Sequence, residues 1–124
     1  MTKLFLDARA LSDLVIEGLQ EKKGLEILRM DLRQADGAVA DFFVICTGTS
    51  DRHVQALAGS VEKTIREQAS EKPLSQEGLQ AGEWVLMDYV NVVVHIFQAE
   101  RRNFFRLENL WGDAVFEKIE EPVS

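Results

Sequence analysis

The sequence predicts an α/β fold of the α+β kind, a single domain with a mixed β-sheet flanked by helices, and three observations carry that prediction. Three stretches place apolar residues at helical spacing, two others read as strands, one alternating with period two and one apolar on both parities, and residues 84–97 read as two strands folded back on each other. Taken in order, the elements run α-β-β-α-β-β-α, with the helices gathered on one side of the sheet more than the other and one sheet surface left partly open. At 124 residues the chain is long enough to bury about two-thirds of its unfolded surface around one core.

The first helix is expected over residues 7–22, because Leu11, Leu14, Val15, Gly18 and Leu19 fall on one stripe. Gly24 is placed to end it, behind Lys22 and Lys23, whose charges suit a helix C-terminus. Leu28, Met30 and Leu32 then alternate with Arg29, Asp31 and Arg33, the pattern of a half-buried strand. Asp36 and Gly37 form a turn signal. Residues 41–47 are apolar on both parities, so they read as an interior strand antiparallel to the one before.

Gly48, Thr49 and Ser50 open a second helix with Val54, Leu57, Ala58, Val61 and Ile65 on its stripe, and either hydroxyl residue makes a good N-cap. Residues 70–81 are a polar connection containing Pro73, with room for a short edge strand around Leu74. A last helix is expected from about Ala99, with Phe104, Leu107 and Trp111 on one face. The domain is expected over 1–116, followed by a solvated, frayed tail over 117–124.

The hairpin organises the rest. A two-residue turn at Val90 and Asn91 sets Tyr89 opposite Val92, Met87 opposite Val94 and Val85 opposite Ile96, a face apolar but for one phenol and therefore the core face. The other face carries Trp84, Leu86 and Asp88 opposite Phe97, His95 and Val93. Two large aromatics, an acid and a histidine do not make a face built for water. It is expected to be covered by a helix of the same domain or by another protein.

Charge narrows the partner. A net charge of −7 and a pI near 4.8 argue against a direct grip on nucleic acid and favour a basic partner. The single cysteine, Cys46, sits in an apolar run and reads as a buried thiol in a reducing compartment. No apolar run is long enough to span a bilayer, and the first residues do not read as a signal peptide, so the expected location is cytoplasmic, with no membrane partner.

Most catalytic chemistry lacks its residues. His53, His95, Cys46, Asp41 and Asp88 show no metal-ligand spacing, so no metal and no cofactor are expected. Ser50 and His53 could touch at a helix start, but without a nucleophile elbow this reads as capping. Gly48, Thr49 and Ser50 between strand and helix have the outline of an anion site, and with Asp41 they define the competing enzyme reading, a nucleotidyl- or phosphoryl-transfer catalyst. Asp41 and Asp88 are single acids on separate strands, so no catalytic residue is assigned. Arg101 and Arg102 are consecutive and point apart on a helix, which reads as a helix-start ion pair or a solvated face.

The segment TGTSDRHV at 47–54, the two hairpin halves WVLMDY and VVVHIF, and ERRNFFRLENLWGDA at 100–114 together resemble the Iojap family, the bacterial ribosomal silencing factors. The resemblance covers nearly the whole chain, from about Leu6 to Phe116. It implies a fold like that of the nucleotidyltransferases without the catalytic acids. It also implies a non-enzymatic translation repressor that binds a basic protein of the large ribosomal subunit, its protein fourteen, and blocks subunit joining, with a link to large-subunit biogenesis. Matched by position, the family's tryptophan, strand acid and strand histidine are Trp84, Asp88 and His95. Tyr89 also matches an interface position, although its parity sends it inward. With Leu86 and Phe97 lining the same face as Trp84, these six are the expected partner-binding residues. Self-association into a homodimer through this face is a further use open to it.

The sequence departs from the family where the hairpin turns, with Val90 and Asn91 standing where Gly-Asp is usual. Valine takes positive φ at a cost, so the turn could widen or the register shift by one, which would exchange the two faces. Phe105 stands where the family commonly has tyrosine.

Overall fold

The computed structural model describes residues 7–35, 37–101 and 114–120. Its elements are α1 (Ala8–Glu21), β1 (Leu25–Asp31), β2 (Phe42–Gly48), α2 (Asp51–Ala69), β3 (Ser75–Glu77), β4 (Trp84–Asp88), β5 (Val92–Gln98) and β6 (Val115–Lys118). The strands form one mixed sheet in the order β3-β4-β5-β2-β1-β6. The β2–β5 pair is parallel and every other pair antiparallel. An α+β domain with helices against a mixed sheet is the architecture expected from the sequence.

Helices α1 and α2 start on side-chain caps: Asp7 accepts from the Ala10 N–H and Ser50 from the His53 N–H. The end of α1 differs from expectation in one residue. Lys23 N–H donates to Gln20 O and Gly24 N–H to Leu19 O, the paired bonds of a Schellman cap, so Lys23 occupies the left-handed position with φ 59°. Gly24 is needed for another reason: a Cβ there would lie 2.5 Å from Cys46 Sγ.

Helices α1 and α2 lie on one face of the sheet. Leu11, Val15, Leu19, Val54, Leu57, Val61 and Ile65 bury against Phe42, Val44, Val85, Met87, Val94 and Ile96. The helices approach closely where Ser60 donates its hydroxyl to Gly18 O at 2.7 Å. The opposite face gathers Leu28, Met30, Leu32, Phe43, Ile45, Val93 and Phe97, with Ala35, Ala38 and Ala40 packed on them.

Two expectations at the sheet's far edge are corrected. β1 is buried on both faces from Ile27 to Met30, because Arg29, which the alternation assigned to solvent, lies 5% exposed under α1. Its guanidinium donates to Ser12 Oγ at 3.1 Å, to Asp13, and to both carboxylate oxygens of Glu117 at 3.0 and 2.9 Å. Glu117 belongs to β6, which runs across the point where the frayed tail was expected to begin and pairs with β1 through Leu28↔Lys118 and Asp31↔Val115. The side chains of β6 are exposed, as a solvated segment requires, but its backbone is part of the sheet. The expected stripe of Phe104, Leu107 and Trp111, and Phe105, lie outside the described residues.

Candidate interaction face

The hairpin has the predicted register without a shift: Trp84↔Phe97, Val85↔Ile96, Leu86↔His95, Met87↔Val94 and Asp88↔Val93. What holds that register is a strained turn. Tyr89 N–H donates to Val92 O, Asn91 N–H donates back to Tyr89 O at 3.0 Å, and Val90 between them sits at φ 75°. This three-residue γ-turn puts a β-branched residue where it is least tolerated. The carboxylate of Asp88 offsets part of the cost by accepting the Val90 N–H at 2.7 Å.

The six expected site residues divide by depth. Trp84, Leu86 and Asp88 on β4 are half-buried and reach the surface, while Phe97 and His95 on β5 are only 1% and 4% exposed. Trp84 stacks on Phe97 with ring centroids 5.0 Å apart and donates its indole N–H to His95 Nδ1 at 3.2 Å. His95 also packs on Phe43 at 4.7 Å. So on this face the β5 side chains form the buried half and those of β4, paired beside it in the sheet, the accessible half.

His95 is neutral in this setting: burial pulls its pKa down to about 4. Because Nδ1 accepts the indole N–H, the ring proton sits on Nε2, which is buried and without a hydrogen-bond partner among the described residues. Tyr89 faces the helix side, as its parity required, and its hydroxyl is buried as well, which takes it out of reach of a partner on the Trp84 face. Burial raises its pKa, with the charges of Glu62 and Glu71 adding to the effect.

The competing anion site is filled by its own residues. At the start of α2 the Thr49 N–H donates to His53 Nδ1 at 2.9 Å, the His53 N–H to Ser50 Oγ, and the Arg52 N–H to Asp51 Oδ1. An aspartate on one amide, a serine hydroxyl on another and a histidine on the loop thus engage donors that a phosphate there would use. Asp41 lies at the other end of β2, where its N–H donates to Asn91 O. Among the described residues no three His, Cys, Asp or Glu side chains are grouped to hold a metal, and no helix is long and apolar enough to cross a membrane.

The family profile described as "Ribosomal silencing factor during starvation" matches residues 6–124. The chain belongs to this family. A ribosomal silencing factor from Halalkalibacterium halodurans is 37% identical over 115 residues, covering 92% of this chain and 96% of the relative. A mouse protein named for mitochondrial assembly of the ribosomal large subunit is 34% identical over 73 residues, 57% of this chain and 32% of its own length. Among solved structures, a Chromobacterium violaceum protein superposes with a TM-score of 0.81 at 33% identity, covering 96% of this silencing factor and 95% of that chain. A Bacillus halodurans protein gives a TM-score of 0.75 at 31% identity over 90% and 98%.

In this silencing factor the parity of the hairpin was legible, and with it the location of the tryptophan face. The sequence did not show that half of that face is a buried floor. The run of apolar residues on both parities of β5, Val92, Val93 and Val94, is the signal that marks a strand covered on both sides.

Proposed function

We propose that this protein represses translation by binding a basic protein of the large ribosomal subunit, its protein fourteen, and thereby blocking the joining of the small subunit, with an accompanying role in large-subunit biogenesis. Trp84 is the anchor, Leu86 supplies apolar contact beside it, and Asp88 meets a lysine or arginine of the partner. Phe97 and His95 hold the indole from beneath, and Tyr89 braces the hairpin from the helix side. The role is steric and needs no catalysis, cofactor or metal. It is exercised in the cytoplasm.

The observation that carries the reading is the Trp84 indole, half-buried yet fixed by a stack and a hydrogen bond. A large aromatic held rigid at the surface loses little side-chain entropy on binding and is the kind of residue in which interface energy concentrates. The net charge of −7 suits a basic ribosomal protein and opposes a grip on bare RNA.

Sedimentation with isolated large subunits, before and after adding small subunits, tests this directly. Co-sedimentation and reduced joining are expected for the unaltered protein. Trp84→Ala is expected to cost about 2 kcal/mol or more in binding with the fold intact. Normal large-subunit binding by that variant would remove Trp84 from the interface. Sizing of both proteins over a concentration series separates ribosome binding from a homodimer formed through the same face.

A further inference from the structure

We infer that Gln55 on α2, with Gln98 at the end of β5, is a positioning residue for Trp84. This rests on the reading of Trp84 as the anchor and adds what sets its place. Trp84 is the first residue of β4, so its position depends on the loop just before it, residues 78–83.

That loop is held from both sides. Gln55 Nε2 donates to the carbonyls of Leu79 and Gln80 at 2.9 and 3.1 Å. Gln98 Nε2 donates to Gly82 O at 2.9 Å, and its backbone N–H donates to Glu83 O at 3.0 Å. The loop closes on itself through Gly82 N–H to Gly78 O at 3.0 Å. Its two glycines, at φ 84° and 68°, make the contacts possible. A Cβ on Gly78 would lie 2.0 Å from Trp84 O, and one on Gly82 would lie 2.8 Å from Asp51 O at the start of α2.

The loop is thus a rigid link between the first turns of α2 and the first residue of β4. Gln55 is one helical turn beyond Asp51, so the same stretch of α2 receives Gly82 and donates to Leu79 and Gln80. Among the described residues packed on this loop, the amide of Gln55 is the group whose loss frees two backbone carbonyls without emptying a core site. Its removal leaves Trp84 on a strand end that swings, so that the bond from its indole N–H to His95 opens more often.

Gln55→Ala and the isosteric Gln55→Glu test this. The carboxylate of Gln55→Glu keeps the size but turns two donated bonds into repulsion of two carbonyls. Both variants are expected to keep their melting temperature within a few degrees and to bind large subunits about five-fold more weakly. In the free protein, hydrogen exchange at residues 79–85 and at the Trp84 indole N–H is expected to quicken, while exchange across β2 and β5 stays unchanged. A purely structural role would instead speed exchange throughout the core. Unchanged exchange at Trp84, or weakened binding without it, overturns the inference. Trp84→Ala is measured beside them: if it binds normally, the anchor reading fails, and the exchange data still decide whether Gln55 positions Trp84.

Discussion

The indole N–H of Trp84 points at His95 Nδ1, 3.2 Å away, so a surface aromatic and a buried imidazole form one unit across adjacent strands. The bond exists only while His95 is neutral, which makes acid its natural antagonist.

His95 has its pKa lowered from 6.5 to about 4 by burial, so the unfolded chain takes up a proton that the folded one refuses. Stability from this group is complete above 6.5 and is lost as pH falls toward 4. Between pH 7 and pH 5 the unaltered protein is expected to lose about 2 kcal/mol through His95 alone. Urea unfolding of His95→Gln should show that part of the slope gone. An unchanged pH profile in the variant would assign the acid sensitivity elsewhere.

Asp88 has two jobs that substitution can separate. Asp88→Asn keeps an oxygen to accept the Val90 N–H but loses the charge, whereas Asp88→Ala loses both. The first is expected to weaken large-subunit binding several-fold with stability nearly unchanged; the second also destabilises the fold by about 1 kcal/mol. Equal unfolding midpoints for the two variants would show that the turn does not depend on the carboxylate.

Val90 at φ 75° and Lys23 at φ 59° are side-chain-bearing residues in glycine territory. Val90→Gly and Lys23→Gly should each stabilise by up to about 1 kcal/mol, since relief of native strain exceeds the added freedom of the unfolded chain. Val90 is 56% exposed, so little burial is forfeited. Thermal melts of the single and double variants check this, with additive shifts expected of two independent sites.

Arg29 fastens α1 and β6 to the sheet. Its own burial lowers its pKa, but hydrogen bonds and charge from Asp13 and Glu117 outweigh that and raise it, while the hydrogen bond from Arg29 holds Glu117 below the ordinary carboxylate value. Stability from Glu117 is therefore present above 4.5 and lost as pH falls through its lowered folded value. Arg29→Met should cost roughly 2 kcal/mol and expose β6 amides to exchange. Glu117→Gln should flatten the stability profile below 4.5 and leave it unaltered near neutrality in slope. A stable Arg29→Met variant with β6 still protected would show that backbone pairing alone holds the edge.

How far the sequence could be read follows from what each residue contributes. The hairpin register was legible because a slip of one would have put Val85, Met87 and Ile96, all fully buried, on the wrong face. A hydroxyl cap at Thr49 or Ser50 and the stripe of α2 were legible because each acts within a few residues of itself, and the structure selects Ser50. β6 was not, because Val115, Phe116, Glu117 and Lys118 are exposed and contribute pairing rather than burial. Arg29 was read as solvated because a period of two cannot see carboxylates brought from a helix before it and a strand far after it. At the candidate site, the identity of the face was accessible through Trp84 and Asp88, but the depth of Phe97 and His95 depends on tertiary cover.

The clasp between Arg29 and Glu117 joins residues 88 positions apart, which sets an order of events for a chain emerging from its own ribosome. β1 and β2 can pair early, and α1 can settle on them, while the outer edge of β1 has no neighbour until residues 115–118 appear. Until then Arg29 has one acid instead of two and an open strand edge beside it, a template for wrong pairing. A nascent or truncated chain that stops short of Glu117 thus carries its own mark of incompleteness.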